Sequence, residues 1–221
     1  MKKLLIGFLT LATTAAFGQV RRGNDIVVSP QFGAYGGLSV ASQWGGGYNG
    51  TLAGGIAGIQ GVFPISWGWY VQPEITYSNM GTQFYYNDEG EDYKNNVNMH
   101  LHMNYLSVPV LFKWSMPFTG FGILFGPQYS FLLNGHQNAV GYQSDQYQRE
   151  DVVKAGYFHR SDFSGVVGLE YYFPNNGYYK GPKFGFGVRY QFGLININNS
   201  ATLDNSSITN NGFFVTGGIR F

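Results

Sequence analysis

Six ionisable side chains sit inside otherwise apolar, alternating stretches of the sequence: Glu74, Lys113, Asp162, Glu170, Arg189 and Arg220. Three acids and three bases in apolar company have few chemical options. A buried ion that is neither paired nor hydrated costs several kcal/mol or more, so these six are expected to form a hydrogen-bonded charge network. A second group lies in the polar connections. His100 and His102 are two residues apart, a spacing that puts both imidazoles on one face of a strand, where they would reach a metal. His136, His159 and the acidic run Asp88, Glu89, Glu91 and Asp92 fall in the same set of connections. No recognisable ligand motif frames them, so solvated strand extensions and an acidic loop tip are the plainer reading. A hydrolase or acyltransferase would need Ser, His and a carboxylate gathered at one mouth, yet no nucleophile motif points to such a Ser. Gly45-Gly46-Gly47 lies between strands and not before a helix, so it is no phosphate loop. No catalytic, cofactor-binding or metal-binding residue is assigned.

The elements that must hold the six charges follow from composition and period. Among 221 residues there are 33 Gly, 17 Tyr, 19 Phe and 4 Trp, and only 11% are charged. An ordinary soluble domain carries roughly 25% charge and half that share of Gly. Such a sequence suits neither a solvated enzyme surface nor a disordered chain. A net charge of +1 offers no basic patch for nucleic acid, and the absence of Cys excludes a disulfide framework or thiolate metal site. Apolar and small or polar residues alternate with a period of two in eight segments, 31–41, 52–63, 69–80, 104–114, 121–133, 162–173, 184–195 and 211–221. Each is close to the roughly 9–11 residues that a tilted strand needs to cross a bilayer.

The connections alternate too. Those after the second, fourth and sixth segments are short turns. Those after the first, third, fifth and seventh, at 42–51, 81–103, 134–161 and 196–210, are longer and polar. The expected fold is therefore all-β: an eight-stranded antiparallel up-and-down transmembrane β-barrel with short periplasmic turns and longer extracellular loops. All six charges fall on the face opposite the apolar stripe, which places them in the lumen and turns the aromatics to lipid. A lipocalin-like barrel would have the reverse arrangement. Eight strands leave an interior that side chains fill, and small Gly33, Gly58, Gly122, Gly187 and Gly218 alternate there with Tyr35, Gln60, Tyr105, Gln128, Tyr172 and Gln191.

Residues 1–18 read as a signal peptide, with basic Lys2 and Lys3, an apolar Leu4 to Leu11 and small residues before Gln19. Residues 19–30 are then a periplasmic lead-in and 31–221 the barrel, located in the outer membrane. Trp67, Trp69, Tyr70, Trp114, Phe118, Tyr178, Tyr179 and Phe221 read as a periplasmic aromatic girdle. Trp44, Tyr48, Phe84, Tyr85, Tyr86, Tyr142, Tyr147, Tyr157 and Phe158 read as either the outer girdle or a contact surface for a protein partner. Phe213, Val215, Ile219 and Phe221 alternate as the terminal strands of exported barrels do, and are expected to be the signal read by the barrel-assembly machinery.

Several of these stretches resemble the PorT-like outer-membrane β-barrel family of Bacteroidetes. They are Gln72-Pro73-Glu74, Tyr105-Leu106-Ser107-Val108-Pro109, Gly126-Pro127, Gly165 to Tyr171 and Gly187 to Leu194. The resemblance spans nearly the whole chain after residue 18. Ser107 stands where the family usually has an acid. The resemblance implies a barrel and, through the family's name, an association with type IX secretion. Two functions remain: a non-enzymatic barrel with a structural or partner-binding role, or a small barrel enzyme or transporter acting on lipid or small ligands at the outer leaflet. A packed lumen without a cleft favours the first; an apolar pocket lined by loop residues favours the second.

Overall fold

Side chains that alternate between apolar and polar need two different surroundings, and a closed sheet supplies them as an outside and an inside. The computed structural model describes residues 20–22, 26–45, 50–90, 93–116, 119–140, 148–174, 181–199 and 207–221. The expected leader, residues 1–18, lies outside the described residues. Two short strands, β1 (Val20–Arg22) and β2 (Ile26–Val28), pair antiparallel as a hairpin ahead of the barrel. The barrel strands are β3 (Gln31–Trp44), β4 (Thr51–Ser66), β5 (Trp69–Gly90), β6 (Tyr93–Ser115) and β7 (Phe121–Val140), then β9 (Ser161–Tyr172), β10 (Lys183–Gly193) and β11 (Thr209–Arg220). Each pairs antiparallel with its neighbours, and β11 pairs with β3 from Thr209↔Trp44 to Arg220↔Gly33. That last pairing closes a ring of eight strands. No helix among the described residues is long and apolar enough to cross a membrane; the crossing is made by strands.

Three strands run well past the expected segments. Strands β5 and β6 pair from Trp69↔Trp114 to Gly90↔Tyr93, so most of 81–103 is a tall hairpin and not a loop. Strand β7 continues to Val140, and a short β8 (Gln148–Asp151) pairs with its upper part. Polar, β-permissive residues such as Thr82 and Gln83 let the ladder continue beyond the apolar band, where hydropathy no longer marks it. The step from Asn104↔Asn134 to Tyr105↔Leu132 leaves Leu133 as an extra residue in β7. This bulge keeps both Leu133 and Asn134 facing outward and resets the alternation above it. At the opposite end, Gly68 and Gly120 take φ near +77°, which a side chain would strain, and so make the tight turns possible.

The outer wall is apolar. Phe32, Leu38, Ile59, Ile75, Leu106, Phe112, Phe125, Tyr129, Phe163, Val167, Leu169, Phe184, Phe186, Phe213 and Val215 are exposed, with Leu38 retaining 73% of its surface. Inside, Glu74, Gln72, Lys113, Gln128, Ser130, Glu170, Arg189, Gln191 and Arg220 are buried. Only hydrocarbon covers an outer wall of this kind without a large hydrophobic penalty.

Candidate functional site

The lumen is built in three tiers, beginning at the short-turn end. There Glu170 on β9 accepts from Lys113 Nζ at 2.5 Å and from both terminal nitrogens of Arg220, at 2.8 and 2.7 Å. The Arg220 guanidinium lies 3.7 Å from the centre of the Tyr172 ring and also donates to Gln60 and Gln72. Gly122 on β7 faces this cluster, and a Cβ there would come within 3.0 Å of the Lys113 chain. A small residue is what lets three charged side chains share one level of a narrow barrel.

Gln72 links this tier to the next by donating to Gln60 Oε1 and to Glu74 Oε1. Glu74 Oε2 accepts from Arg189 at 2.6 Å and from the Tyr35 hydroxyl at 2.6 Å, and that hydroxyl also meets Thr76. The Arg189 guanidinium stands 4.8 Å from the Tyr35 ring centre, in reach of its π face. Above them a cavity of about 20 Å³ touches Ser78, Ser107, Gln128 and Gln191. It has room for a single water.

The third tier is different in kind. Asp162 accepts from Asn210 Nδ2, which also donates to the Tyr105 hydroxyl, while Gln43 donates to Asn210 Oδ1. An apolar layer covers this polar cluster. Met80, Leu101, Met103 and Leu132 from the strands pack with Val152, Phe158, Ile197 and Ile208 from the long connections. Those connections are tied across the mouth by a Phe158↔Asn198 bridge and by hydrogen bonds from His159 N–H to the Ile197 carbonyl and Asn199 N–H to the Tyr157 carbonyl. The lumen is therefore polar below and capped by hydrophobic residues above.

The structure thus places all six sequence-selected charges inside the barrel and gives five of them opposite-charge partners. Asp162 stands apart, with no base beside it among the described residues. Sequence reasoning missed the cap. Its signal was available: single apolar residues, Val152, Ile197 and Ile208, stranded in polar connections. Two aromatic assignments change as well. Phe158 is 5% exposed and belongs to the cap, with Tyr157 packed against it, so Phe158 is neither girdle nor contact surface. Tyr70 faces the lumen, where Lys113 Nζ sits 5.6 Å from its ring centre, and so leaves the periplasmic girdle. Trp44, Trp67, Trp69 and Phe221 are exposed on the outside. Tyr48, Phe118, Tyr142, Tyr147, Tyr178 and Tyr179 lie outside the described residues. Of the strand residues selected as an assembly signal, Phe213, Val215 and Phe221 are exposed on the outer wall and Ile219 is half-buried there.

His100, His102 and His136 occupy the outer wall above the apolar band. His102 lies opposite His136, with rings stacked 5.2 Å apart, and His100 lies one step higher opposite Asn138. Just below them Asn79, Asn104 and Asn134 form a cross-strand chain of side-chain hydrogen bonds at 2.7 and 2.6 Å. Partial burial holds His102 below the ordinary histidine value, and the neighbouring His136 and His100 add to this. No group of three or more metal-ligating residues is positioned to hold an ion among the described residues. Asp151, on β8, accepts from the backbone N–H groups of Val153 and Lys154, and the Lys154 hydrogen bond above all holds its carboxyl below the usual range.

An apolar exterior, a charged and filled lumen and a closed ring of eight antiparallel strands define a transmembrane β-barrel of the outer-membrane type. The sequence profile described as an outer membrane protein beta-barrel domain matches residues 17–199. The chain belongs to that family, and the outer membrane is its location. Among solved structures it is similar to Neisserial surface protein A, with 10% identity and a TM-score of 0.40, covering 86% of this chain and 95% of that one. It is also similar to Ail, the attachment invasion locus protein of Yersinia pestis, with 12% identity and a TM-score of 0.44, covering 88% and 100%. A third is the N-terminal β-barrel domain of Pseudomonas aeruginosa OprF, with 14% identity and a TM-score of 0.34, covering 85% and 97%. No protein of curated function matches.

Proposed function

We propose that this chain is a non-enzymatic barrel with a structural or partner-binding role at the cell surface, exported by the leader in residues 1–18. The supporting observation is the filled lumen. Side chains from β3, β4, β5, β6, β9, β10 and β11 join in one hydrogen-bonded network, and the mouth above it is sealed by Val152, Phe158, Ile197 and Ile208. Neither a substrate cleft nor a water path fits such an interior. Val152, Phe158, Ile197 and Ile208 of the described connections are turned into the cap, which disfavours a loop-lined ligand pocket.

The PorT-like stretches around Gln72-Pro73-Glu74 and Tyr105-Leu106 carry the finer reading, a part in a type IX secretion-type assembly. In that reading the partner protein docks on the extracellular loops or the periplasmic turns, and the barrel-assembly machinery reads β11. The test is co-purification from native membranes in mild detergent followed by mass spectrometry. Recovery of secretion-assembly components in stoichiometric amounts supports the reading; a barrel recovered with lipid alone removes it.

One observation favours the lipid-directed alternative. A shallow groove of about 330 Å³ crosses the outer wall at one level, lined by Ile123, Phe125, Val167, Leu169, Val188, Tyr190 and Phe213, with Arg189 at its floor. Its mostly apolar lining is suited to an acyl chain.

A further inference from the structure

Among the described residues, every base buried in the lumen has a carboxylate, and one buried carboxylate has no base. Lys113 and Arg220 share Glu170, and Arg189 holds Glu74. Asp162, 1% exposed, is eight residues along β9 from Glu170, roughly 27 Å at the usual rise per residue.

The hydrogen-bond directions around Asp162 leave a surplus of acceptors. Gln43 spends its amide N–H groups on Asn210 Oδ1 and Met103 Sδ, and Asn210 spends its own on Asp162 and Tyr105. The Tyr105 hydroxyl points its proton at Met103 Sδ. Two fully buried acceptor oxygens then have no partner, Asp162 Oδ1 and Gln43 Oε1, and one inward step along β9 the Ser164 hydroxyl has none either, with its lone pairs free. A buried carboxylate beside unsatisfied acceptors calls for a positive species, because buried charges are stable only when paired or bound to an ion.

We propose that Asp162, Gln43, Asn210 and Ser164 form a binding site for one monovalent alkali cation of the sodium type, beneath the hydrophobic cap. The donor set consists of hard oxygens, which select against thiophilic metals. The single negative charge selects against a divalent ion, which would leave one uncompensated positive charge in an apolar enclosure. The cation neutralises the third tier as the arginines neutralise the two below it. It reaches the site only from the extracellular side, when the Phe158 and Ile197 connections part.

The experiment is thermal unfolding of the purified full chain, read by the mobility shift of folded barrels on gels. It is run in sodium chloride and in choline chloride at matched ionic strength and neutral pH. A ligand that binds only the folded state raises the midpoint with the logarithm of its concentration, so the wild type should climb with sodium and stay flat in choline. Asp162→Asn, which removes the charge and keeps the shape, should be flat in both salts. Gln43→Leu keeps the charge and loses one ligand, so the half-effect concentration should rise about tenfold. Rubidium diffraction should place an anomalous peak beside Asp162 Oδ1. A wild-type midpoint indifferent to sodium overturns the proposal, as does a sodium effect of equal size in Asp162→Asn. An infrared band for protonated Asp162 at neutral pH also overturns it, since a proton would then occupy the place assigned to the cation.

Discussion

Arg220 grips Glu170 with two parallel hydrogen bonds, at 2.8 and 2.7 Å, while Phe221, one residue past the end of β11, stands 72% exposed. Two adjacent residues thus serve the two surfaces of the barrel at once. The Phe221 backbone also completes the seam, donating to the Phe32 carbonyl at 2.8 Å and accepting from Phe32 N–H at 3.4 Å. Removing Phe221 deletes the final rung of the pairing that closes the ring, together with an outward aromatic. The expected outcome is a lower yield of folded, heat-modifiable barrel in the outer membrane. Yield equal to that of the intact chain would show that β11 is not read through this residue.

Neighbouring substitutions on β10 should fail for opposite reasons. Arg189→Leu leaves Glu74 buried with only neutral partners, Tyr35 and Gln72, and should cost about 3–5 kcal/mol, as for other broken buried pairs. Val188→Arg puts a charge on the lipid side, and should cost about 2–4 kcal/mol near the midplane. Urea unfolding in lipid vesicles measures both. Losses under one kcal/mol for Arg189→Leu would mean that Glu74 is hydrated and not held by its pair.

Single cysteines across β10 test the parity directly, since the native chain has none. Phe184, Phe186, Val188, Tyr190 and Phe192 face outward, and Gly185, Gly187, Arg189 and Gln191 inward. A lipid-soluble thiol reagent should label the first set and spare the second. The opposite pattern would invert the barrel.

This parity was legible in the sequence because lipid on one side and a polar lumen on the other impose a strict period of two on 184–194. The tall β5–β6 hairpin was not legible, because above the bilayer both faces of a strand meet polar surroundings and the period disappears. Residues such as Asn79, Asn104 and Asn134 then pair for backbone reasons and through their own amides. The hydrophobic cap escaped for a related reason. Val152, Phe158, Ile197 and Ile208 come from two connections far apart in sequence, and no local period links them. The charges were readable as a set, but their pairing was not: which acid lacks a base depends on strand register and tilt.

The stacked His102–His136 pair gives the upper wall a pH dependence whose sign follows from burial. His102 is held below its ordinary value of 6.5 in the folded barrel, so near and below that pH the unfolded chain binds more protons than the folded one. Stability from this site is complete above 6.5 and declines as the pH falls toward the lowered folded value. The protection of the amides along His100–Asn104 against hydrogen exchange, taken relative to the intrinsic exchange rate at each pH, should therefore fall on acidification in the wild type, and much less in His102→Gln. Greater protection at acid pH would reverse the assignment and imply that the protonated imidazole finds an acceptor.

The filled lumen and the cap make separable predictions about conductance. Eight strands leave no channel once Arg220, Glu170, Tyr172, Gln60 and Gln72 share one level, and the cap closes the far end independently. Purified protein in planar bilayers should show no steady conductance at neutral pH. Replacing residues 197–208 with a short Gly-Ser link strips Ile197 and Ile208 from the cap, yet should still give no conductance, because the two charged tiers remain packed. Adding Arg220→Ala, Lys113→Ala and Arg189→Ala to that shortened chain removes the bases of both charged tiers as well, and only then should intermittent currents appear. A steady current from the intact chain would place continuous water through the Glu170 and Glu74 tiers. The barrel would then have to be understood as a transport protein, with the charges lining its path.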